Sequence, residues 1–260
     1  MSLLHAHGFA VAVNTARTLQ EVKQYCRAYG LAGGVAEYGG VLWDALTDRE
    51  KVLVSSESLQ HLAKVRAALR QIPGCFVNDD YQYSIRAFTY QNDRTAPLPP
   101  LLVQDLLAGL QVDRLRAHHT GLDTAVVAKE TDKGIGLRSL LDFVGLPSVD
   151  VFAIGDSEPD LAMFRVASAS FAPGNVSCRR EAQLLGSYIA DSSFQPGLLE
   201  IAKRIAHPQG GTCHRCQAIE ADWRKNKSLY VSLLNAADQK PIRLLLRNLL
   251  KPTLLSTFKK

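Results

Sequence analysis

No run of about 18 to 20 apolar residues, the length a membrane-spanning helix needs, occurs in the 260 residues, so no transmembrane helix is expected. The first eight residues, Met-Ser-Leu-Leu-His-Ala-His-Gly, lack a charged leader followed by a long apolar core, so no secretory signal is expected either. Cysteine is scarce and odd in number, five in all. Cys26, Cys75 and Cys178 are widely spread, which argues against a disulfide framework and for reduced thiols in a cytoplasm. There is no Gly-x-x-x-x-Gly-Lys-Ser/Thr phosphate loop, no dinucleotide fingerprint and no Ser-His-Asp arrangement. What remains, 47% hydrophobic and 21% charged residues, is the composition of an ordinary globular chain rather than a disordered or fibrous one.

Charge is unevenly distributed. From Glu200 to Lys260 there are 12 Lys and Arg against 4 Asp and Glu, although the whole chain carries only +5. The basic balance therefore belongs to the C-terminal stretch. Such a stretch is a solvated helical face, or a contact for an acidic partner, a membrane surface or nucleic acid.

Phe9 to Asn14 is a short run of small and β-branched residues and predicts a buried parallel strand. Helical spacing over Leu19 to Tyr29 with Gly30 behind it predicts a capped helix. A second strand is expected over Gly34 to Tyr38, and two more over Val149 to Ile154 and Ala167 to Ala172, with a helical connection over Asp160 to Val166. Strand, helix, strand with glycine turns predicts a doubly wound α/β sheet. The intervening region has a different rhythm. A helix over Ser56 to Gln71, strands over Gly74 to Asn78 and Gln82 to Gln91, a helix from Pro99 to Leu110, and strands over Asp113 to His119 and Asp123 to Ala128 predict an αββαββ module set over the sheet as a lid. The expected domains are thus 1–54 with 129–206 as the α/β core, 55–128 as the cap, and 207–260 as a basic helical extension. Within that extension Arg243, Arg247 and Lys251 recur four residues apart opposite leucines, predicting an amphipathic helix that docks on the body or on a second copy, with a membrane surface as the alternative.

Chemistry concentrates in three places. Ile154-Gly155-Asp156-Ser157-Glu158-Pro159-Asp160 follows a strand and precedes a helix, putting two carboxylates four residues apart at the sheet's carboxyl end. Such oxygens suit a hard cation such as Mg²⁺, and equally they can cap a helix. Val13-Asn14-Thr15-Ala16-Arg17 sets a hydroxyl just off a strand end, where it can meet a phosphate oxygen or serve as an N-cap. Asp132-Lys133-Gly134 sets an ammonium at a helix start, where it can offset phosphoryl charge.

These three segments, in this order and with a lid-sized insertion between the first two, resemble the haloacid dehalogenase superfamily of phosphohydrolases. More narrowly they resemble its branch with a C2-type αββαββ cap, which includes sucrose-phosphate, mannosyl-phosphoglycerate and phosphoglycolate phosphatases. The resemblance covers about Met1 to Ala206. It implies Mg²⁺-dependent hydrolysis of a small phosphorylated sugar or acid. Thr15, with Arg17 beside it, would bind the phosphate, Lys133 would steady the phosphorylated intermediate, and Asp156 and Asp160 would hold Mg²⁺. Glu37-Tyr38-Gly39-Gly40 resembles the family's Glu-Asn-Gly-Gly turn, with Tyr38 in the asparagine's place. Pro173-Gly174-Asn175-Val176 matches a family loop whose asparagine, here Asn175, lies near the site. Pro159 stands where Asn is common and Ala16 where Gly is common.

The family's leading motif, Asp-x-Asp-Gly-Thr on the first strand, carries the nucleophile and the acid-base aspartate, and it is absent from these residues. In the family that strand lies between those that here are Phe9–Asn14 and Val149–Ile154, so the sequence is expected to be N-terminally incomplete and inactive as given. The alternative is a non-catalytic pseudophosphatase that binds phosphate ligands or assembles with a partner, through the basic C-terminal helices or as a homodimer. No specific nucleic-acid partner is expected. In the cap, Arg86 can grip a carboxylate or second phosphate or lie on a solvent face, and His118 can face substrate or form a surface pair with His119. Cys213-His214-Arg215-Cys216 has zinc-knuckle spacing with His207 nearby, but no second Cys-x-x-Cys supplies the remaining ligands of a structural zinc. Two free thiols are the competing reading.

Overall fold

A computed structural model describes residues 1–225, with side chains to residue 219. The amphipathic helix expected around Arg243, Arg247 and Lys251 lies outside the described residues. In chain order the helices are α1 (Ser2–Ala6), α2 (Leu19–Tyr29), α3 (Ser56–Leu69), α4 (Pro100–Gly109), α5 (Lys133–Phe143), α6 (Leu161–Phe164), α7 (Arg179–Leu184), α8 (Phe194–Ala206) and α9 (His214–Lys225). The strands are β1 (Val13–Asn14), β2 (Gly33–Ala36), β3 (Val41–Asp44), β4 (Arg49–Val52), β5 (Phe76–Asn78), β6 (Ile85–Gln91), β7 (Arg94–Ala96), β8 (Leu115–His119), β9 (Thr124–Ala128), β10 (Phe152–Ile154), β11 (Ala169–Ala172) and β12 (Tyr188–Ile189). No helix among the described residues is long and apolar enough to cross a membrane.

The chain forms two compact units. The larger holds Ala10–Ser170 and Ser177–Ser187; the smaller holds Met1–Phe9, Phe171–Val176 and the residues from Tyr188.

In the larger unit β1 runs parallel to β2, with Val13 opposite Gly34, and β2, β3 and β4 continue the sheet antiparallel. The strand expected over Phe9–Asn14 is thus much shorter as regular structure, a two-residue edge strand, although Ala32 N–H still donates to the Val11 carbonyl at 2.8 Å. β10 belongs to a different sheet from β1. Helix α2 starts on a reciprocal cap: Thr18 Oγ1 accepts from Glu21 N–H at 3.2 Å, and Thr18 N–H donates back to the Glu21 carboxylate at 3.0 Å. Such a cap contributes about 1 kcal/mol. Val22 and Cys26 then bury against Ala36, Val41 and Trp43. Helix α5 packs Leu140 on Val35 and Leu42 of the sheet.

The cap is built within the same unit. Its antiparallel sheet has the order β5-β6-β9-β8, with β7 on β6. Registers Ile85↔Val126 and Leu115↔Ala128 put Ile85, Ala87, Leu115, Val126 and Ala128 on one face, buried against Leu62, Val65 and Leu69 of α3 and Val103 of α4. Each of those large side chains stabilises the fold by about 1.5–3 kcal/mol through burial. Strand alternation sends Arg86, Arg116, His118, Ala125 and Val127 to the other face.

In the smaller unit β11 and β12 pair in parallel, Phe171 opposite Tyr188. Helix α8 buries Ile201 and Ile205, and α1, with Leu3 and Leu4 buried, packs beside α8 and α9. The Glu200 carboxylate accepts from the Tyr188 hydroxyl at 2.7 Å and from Asp191 and Ser192 N–H, which ties α8 to the end of β12.

Candidate functional site

The loop after β10 carries the acidic cluster, and its shape is imposed by one carboxylate. Asp160 is buried (3% exposed). Its Oδ2 accepts from Asp156 N–H and Ser157 N–H at 3.0 Å each and from Ser157 Oγ at 2.8 Å. Its Oδ1 accepts from Lys133 Nζ at 2.5 Å. Asp160 is therefore spent on shaping the loop and holding the ammonium, whereas the sequence suggested it as a direct metal ligand. Gly155 is required by this packing, because a Cβ there would lie 2.3 Å from Cβ of Asp160. Asp156 is exposed at the surface of the loop, and its pKa is raised by partial desolvation first and by the neighbouring Asp160 second.

Lys133 opens α5, whose N-cap Asp132 accepts from Ile135 N–H at 2.7 Å. The lysine is itself buried. Its carbonyl accepts from Asn14 Nδ2 at 2.8 Å, which fastens the end of β1 to the start of α5. Asn14 Oδ1 is buried without a hydrogen-bond partner. Asn14 went unnoticed in the sequence because its polar side chain reads there only as the end of an apolar strand.

Thr15 follows β1. It does not cap a helix; Thr18 does that. Thr15 N–H donates to the Val35 carbonyl at 3.0 Å, and its Oγ1 accepts from Arg17 N–H at 3.2 Å, a hydroxyl-closed turn. Arg17 is exposed and pairs with Glu21 one helical turn on, at 3.2 Å.

The Glu37-Tyr38-Gly39-Gly40 turn joins core to cap. Glu37 and Tyr38 both adopt left-handed backbone, φ 49° and 58°. Gly39 has φ 96°, and a Cβ there would meet the Asp132 carbonyl at 2.2 Å. The buried Glu37 carboxylate accepts from Gln82 N–H (3.2 Å), Tyr83 N–H (2.8 Å) and Ser84 Oγ (2.8 Å). Burial nevertheless raises its pKa. Tyr38, standing where the family has asparagine, stacks on His118 with ring centroids 5.7 Å apart and packs on Ala125 and Val127. Burial is the main cause that pushes its hydroxyl to about 12.

On the cap face above, His118 has its pKa lowered, by burial first and by Arg116 second. Arg116 donates to the Thr131 carbonyl at 2.7 Å, and its Nε is buried without a partner. The i, i+2 spacing of Arg116 and His118 was the signal in the sequence that could have marked both. Arg86 is not a free grip. Its Nε and Nη2 bind the buried Asp123 carboxylate, and its Nη1 donates to the Tyr81 hydroxyl at 2.8 Å. Asn175 lies in the smaller unit, where its Oδ1 accepts from Phe194 N–H at 2.7 Å at the start of α8.

The structure thus brings Asn14, Lys133, Asp160 and Asp156 into one connected series, with Thr15 next to its first member and His118 over Tyr38 on the cap side. It assigns Arg86 and Asn175 to local structural partners.

Residues 102–200 match the family model described as haloacid dehalogenase-like hydrolase. A phosphoglycolate phosphatase of Methanopyrus kandleri is 28% identical over 78% of this chain and 84% of its own length. That of Methanothermobacter thermautotrophicus is 29% identical over 68% of this chain and 74% of its own. Among solved structures, a Thermoplasma acidophilum protein superposes with a TM-score of 0.61 at 18% identity, covering 78% of this chain and 86% of that one. The sucrose-phosphatase of Synechocystis, solved with sucrose and phosphate, gives 0.55 at 16% identity over 76% and 87%. In motif order and architecture the chain is thus similar to haloacid dehalogenase-like hydrolases, over residues 102–200 in the family model and over 78% and 68% of its length in the two phosphoglycolate phosphatases.

Proposed function

We propose that this chain carries the phosphate-side and metal-side residues of a Mg²⁺-dependent phosphomonoesterase for a small phosphorylated carboxylic acid. The observation that supports it most is the connected series Asn14, Lys133, Asp160, Asp156, built from elements far apart in sequence. Burying a lysine against a carboxylate costs desolvation energy that a merely structural contact seldom recovers. Lys133 has three N–H donors; Asp160 holds one, and the others are available to a phosphoryl oxygen. The Thr15 hydroxyl can donate its proton to the same group while its oxygen accepts from Arg17 N–H.

The donor set fits magnesium. Asp156 offers a hard carboxylate oxygen that partial desolvation and Asp160 leave under-neutralised, and a divalent cation relieves that state. When bound, Mg²⁺ neutralises phosphoryl charge and polarises the phosphorus–oxygen bond. Asp160 acts as a positioning residue, holding the Asp156 and Ser157 backbone and the Lys133 ammonium in place.

A carboxylic acid is favoured by the cap. Arg116 and His118 share the face toward Tyr38, and the unpartnered Arg116 Nε requires an acceptor. The archaeal relatives are named for phosphoglycolate, a phosphorylated acid of this kind. The five cysteines, none of them in a disulfide among the described residues, fit a reducing compartment such as the cytoplasm.

Displacement at phosphorus by the family's route needs an aspartate nucleophile and a second aspartate as acid and base, and these 260 residues contain no Asp-x-Asp-Gly-Thr. We expect this chain to bind without turnover. Calorimetry with phosphoglycolate and with glucose 6-phosphate, each with and without Mg²⁺, tests the reading. Phosphoglycolate should bind about tenfold tighter, a difference of about 1.4 kcal/mol, and only with Mg²⁺. Equal affinities, or binding indifferent to Mg²⁺, would overturn it. Mg²⁺-dependent hydrolysis of p-nitrophenyl phosphate, lost in Asp156→Ala, would refute the expected inactivity.

The same missing motif favours a second reading, a pseudophosphatase that binds a phosphate ligand or a partner. Appending an Asp-x-Asp-Gly-Thr strand separates the two. Turnover then supports the enzyme; tight binding with none supports the binding module.

A further inference from the structure

The smaller unit contains a cluster that the phosphatase reading does not use. His7 at the end of α1, His207 after α8, and Cys213 and Cys216 at the start of α9 point four ligand atoms at one another, all within 4.8 Å. His7 and Cys216 are 209 residues apart, so local turn chemistry does not explain their meeting.

We propose that His7, His207, Cys213 and Cys216 form a structural zinc site that fastens the N-terminal helix to the start of the C-terminal extension. Four of the separations lie within about 0.5 Å of those between ligands around a tetrahedral ion. With Zn–S near 2.3 Å and Zn–N near 2.0 Å, tetrahedral geometry sets sulfur–sulfur at about 3.8 Å and sulfur–nitrogen at about 3.5 Å. Here Sγ of Cys213 and Sγ of Cys216 are 3.7 Å apart. Nε2 of His7 is 3.3 Å from Cys213 Sγ and 3.7 Å from Cys216 Sγ, and Nε2 of His207 is 3.0 Å from Cys216 Sγ. A disulfide would hold the two sulfurs near 2.05 Å, so this arrangement is not one.

The surroundings prepare the ligands. Nδ1 of His7 lies 2.8 Å from the Leu3 carbonyl. A carbonyl can only accept, so Nδ1 carries the proton and Nε2 presents its lone pair to the cluster, the outer bond that orients metal-binding histidines. The two imidazoles meet edge-on, at 87° and 5.0 Å between centroids, so that they share a centre without stacking. Cys213 sits just before α9 and its sulfur faces His7 and Cys216. Arg215 bonds the Ala6 carbonyl at 2.8 Å, a second tie between the same segments.

Two sulfurs and two imidazoles make a closed, four-ligand set of soft and borderline donors. That composition selects zinc over magnesium and marks a structural site rather than a catalytic one. The ion closes a loop of about 200 residues, and the long loop costs little more entropy than a short one would. It also explains why so short a helix as α1 is held at all, since five residues are too few to be stable alone.

The full chain, purified without chelator, should contain about one equivalent of zinc by mass spectrometry of the metal, consistent with one four-ligand site. Replacing zinc by Co²⁺ in the reduced chain should give the intense visible bands of a tetrahedral ion and a near-ultraviolet sulfur-to-cobalt band. Cys213→Ser and His7→Gln should each lose or blue-shift those bands, whereas Cys75→Ser, in the cap, should leave them unchanged. Zinc below about a tenth of an equivalent together with a Co²⁺ spectrum lacking the sulfur band would overturn the proposal. So would a Cys213–Cys216 disulfide as the stable form of the metal-exposed chain, which would make the pair a redox device. The Co²⁺ measurement uses the native sequence, so a variant that fails to fold does not decide the outcome.

Discussion

Lys133 Nζ stands 2.5 Å from Asp160 Oδ1 with both side chains buried, and the other oxygen of the same carboxylate holds the backbone that presents Asp156. One contact therefore sets the position of the ammonium and of the neighbouring carboxylate together. Disturbing either partner moves both, which is the basis of the first two expectations.

Lys133→Met leaves Asp160 buried without its counter-charge. Breaking a buried pair from one side costs about 3–5 kcal/mol. Urea unfolding should show this loss, and Lys133→Met combined with Asp160→Leu should recover part of it. Recovery is incomplete because Asp160 also holds three loop donors. A loss below about 1 kcal/mol for the single change would mean that the pair is solvated in solution.

Asp156 is expected to behave oppositely. Its folded pKa is raised above the ordinary 3.8 by partial desolvation and by Asp160, so the folded chain binds the proton more tightly than the unfolded one. Its contribution is fully present below the ordinary value and is lost as pH rises through the raised one. Asp156→Asn should therefore raise the melting temperature of the chelator-treated protein at neutral pH and flatten this part of its pH dependence. The same change should abolish any stabilisation by Mg²⁺. Unchanged melting in chelator, measured by calorimetry, would contradict the upward shift of the Asp156 carboxyl.

Glu37 accepts three hydrogen bonds from the Gln82–Ser84 segment. Glu37→Ala strands those donors, and each buried unsatisfied donor costs about 1–3 kcal/mol. Equilibrium unfolding should report a loss of at least about 2 kcal/mol. Hydrogen exchange at Gln82 and Tyr83 should accelerate, and an unaltered exchange rate there would show the staple to be absent.

His118 should titrate below the ordinary 6.5 in NMR, because burial and Arg116 disfavour its charged form. For such a group, stability is present above the ordinary value and is lost as pH falls through the lowered one. His118→Phe, which keeps a ring against Tyr38, should remove that acid-side loss. A titration at or above 6.5 would place the imidazole in water.

Much of the architecture was legible because it is written in short-range pattern. Residues Leu19–Tyr29, with Gly30 in the left-handed conformation behind them, form the helix that the spacing predicted. The cap strands follow their alternation to within a few residues. The hairpin of β3 and β4 was not legible. β4, Arg49–Val52, is exposed throughout, so it has no apolar alternation to betray it and exists only through its ladder to β3.

The candidate site divides in the same way. Local motifs marked Thr15, Lys133, Asp156 and Asp160, since each sits at a strand end or helix start where backbone geometry favours anion or cation binding. Arg86 and Asn175 looked equally eligible, yet Asp123 and Phe194 N–H claim them, partners 37 and 19 residues away that no spacing rule identifies. The bond from Asn14 to the Lys133 carbonyl and the pairing of His7 with Cys213 were invisible for the same reason.

What the sequence determined by itself is the element order, the capped helices, the family resemblance and the absence of the aspartate motif, because these depend on backbone propensity and on the residues present. Tertiary structure alone decided which carboxylate pairs with Lys133, and which histidines stand beside Cys213 and Cys216. Those outcomes depend on contacts between distant segments, whose strength is set by burial and angstrom-scale distance rather than by position along the chain.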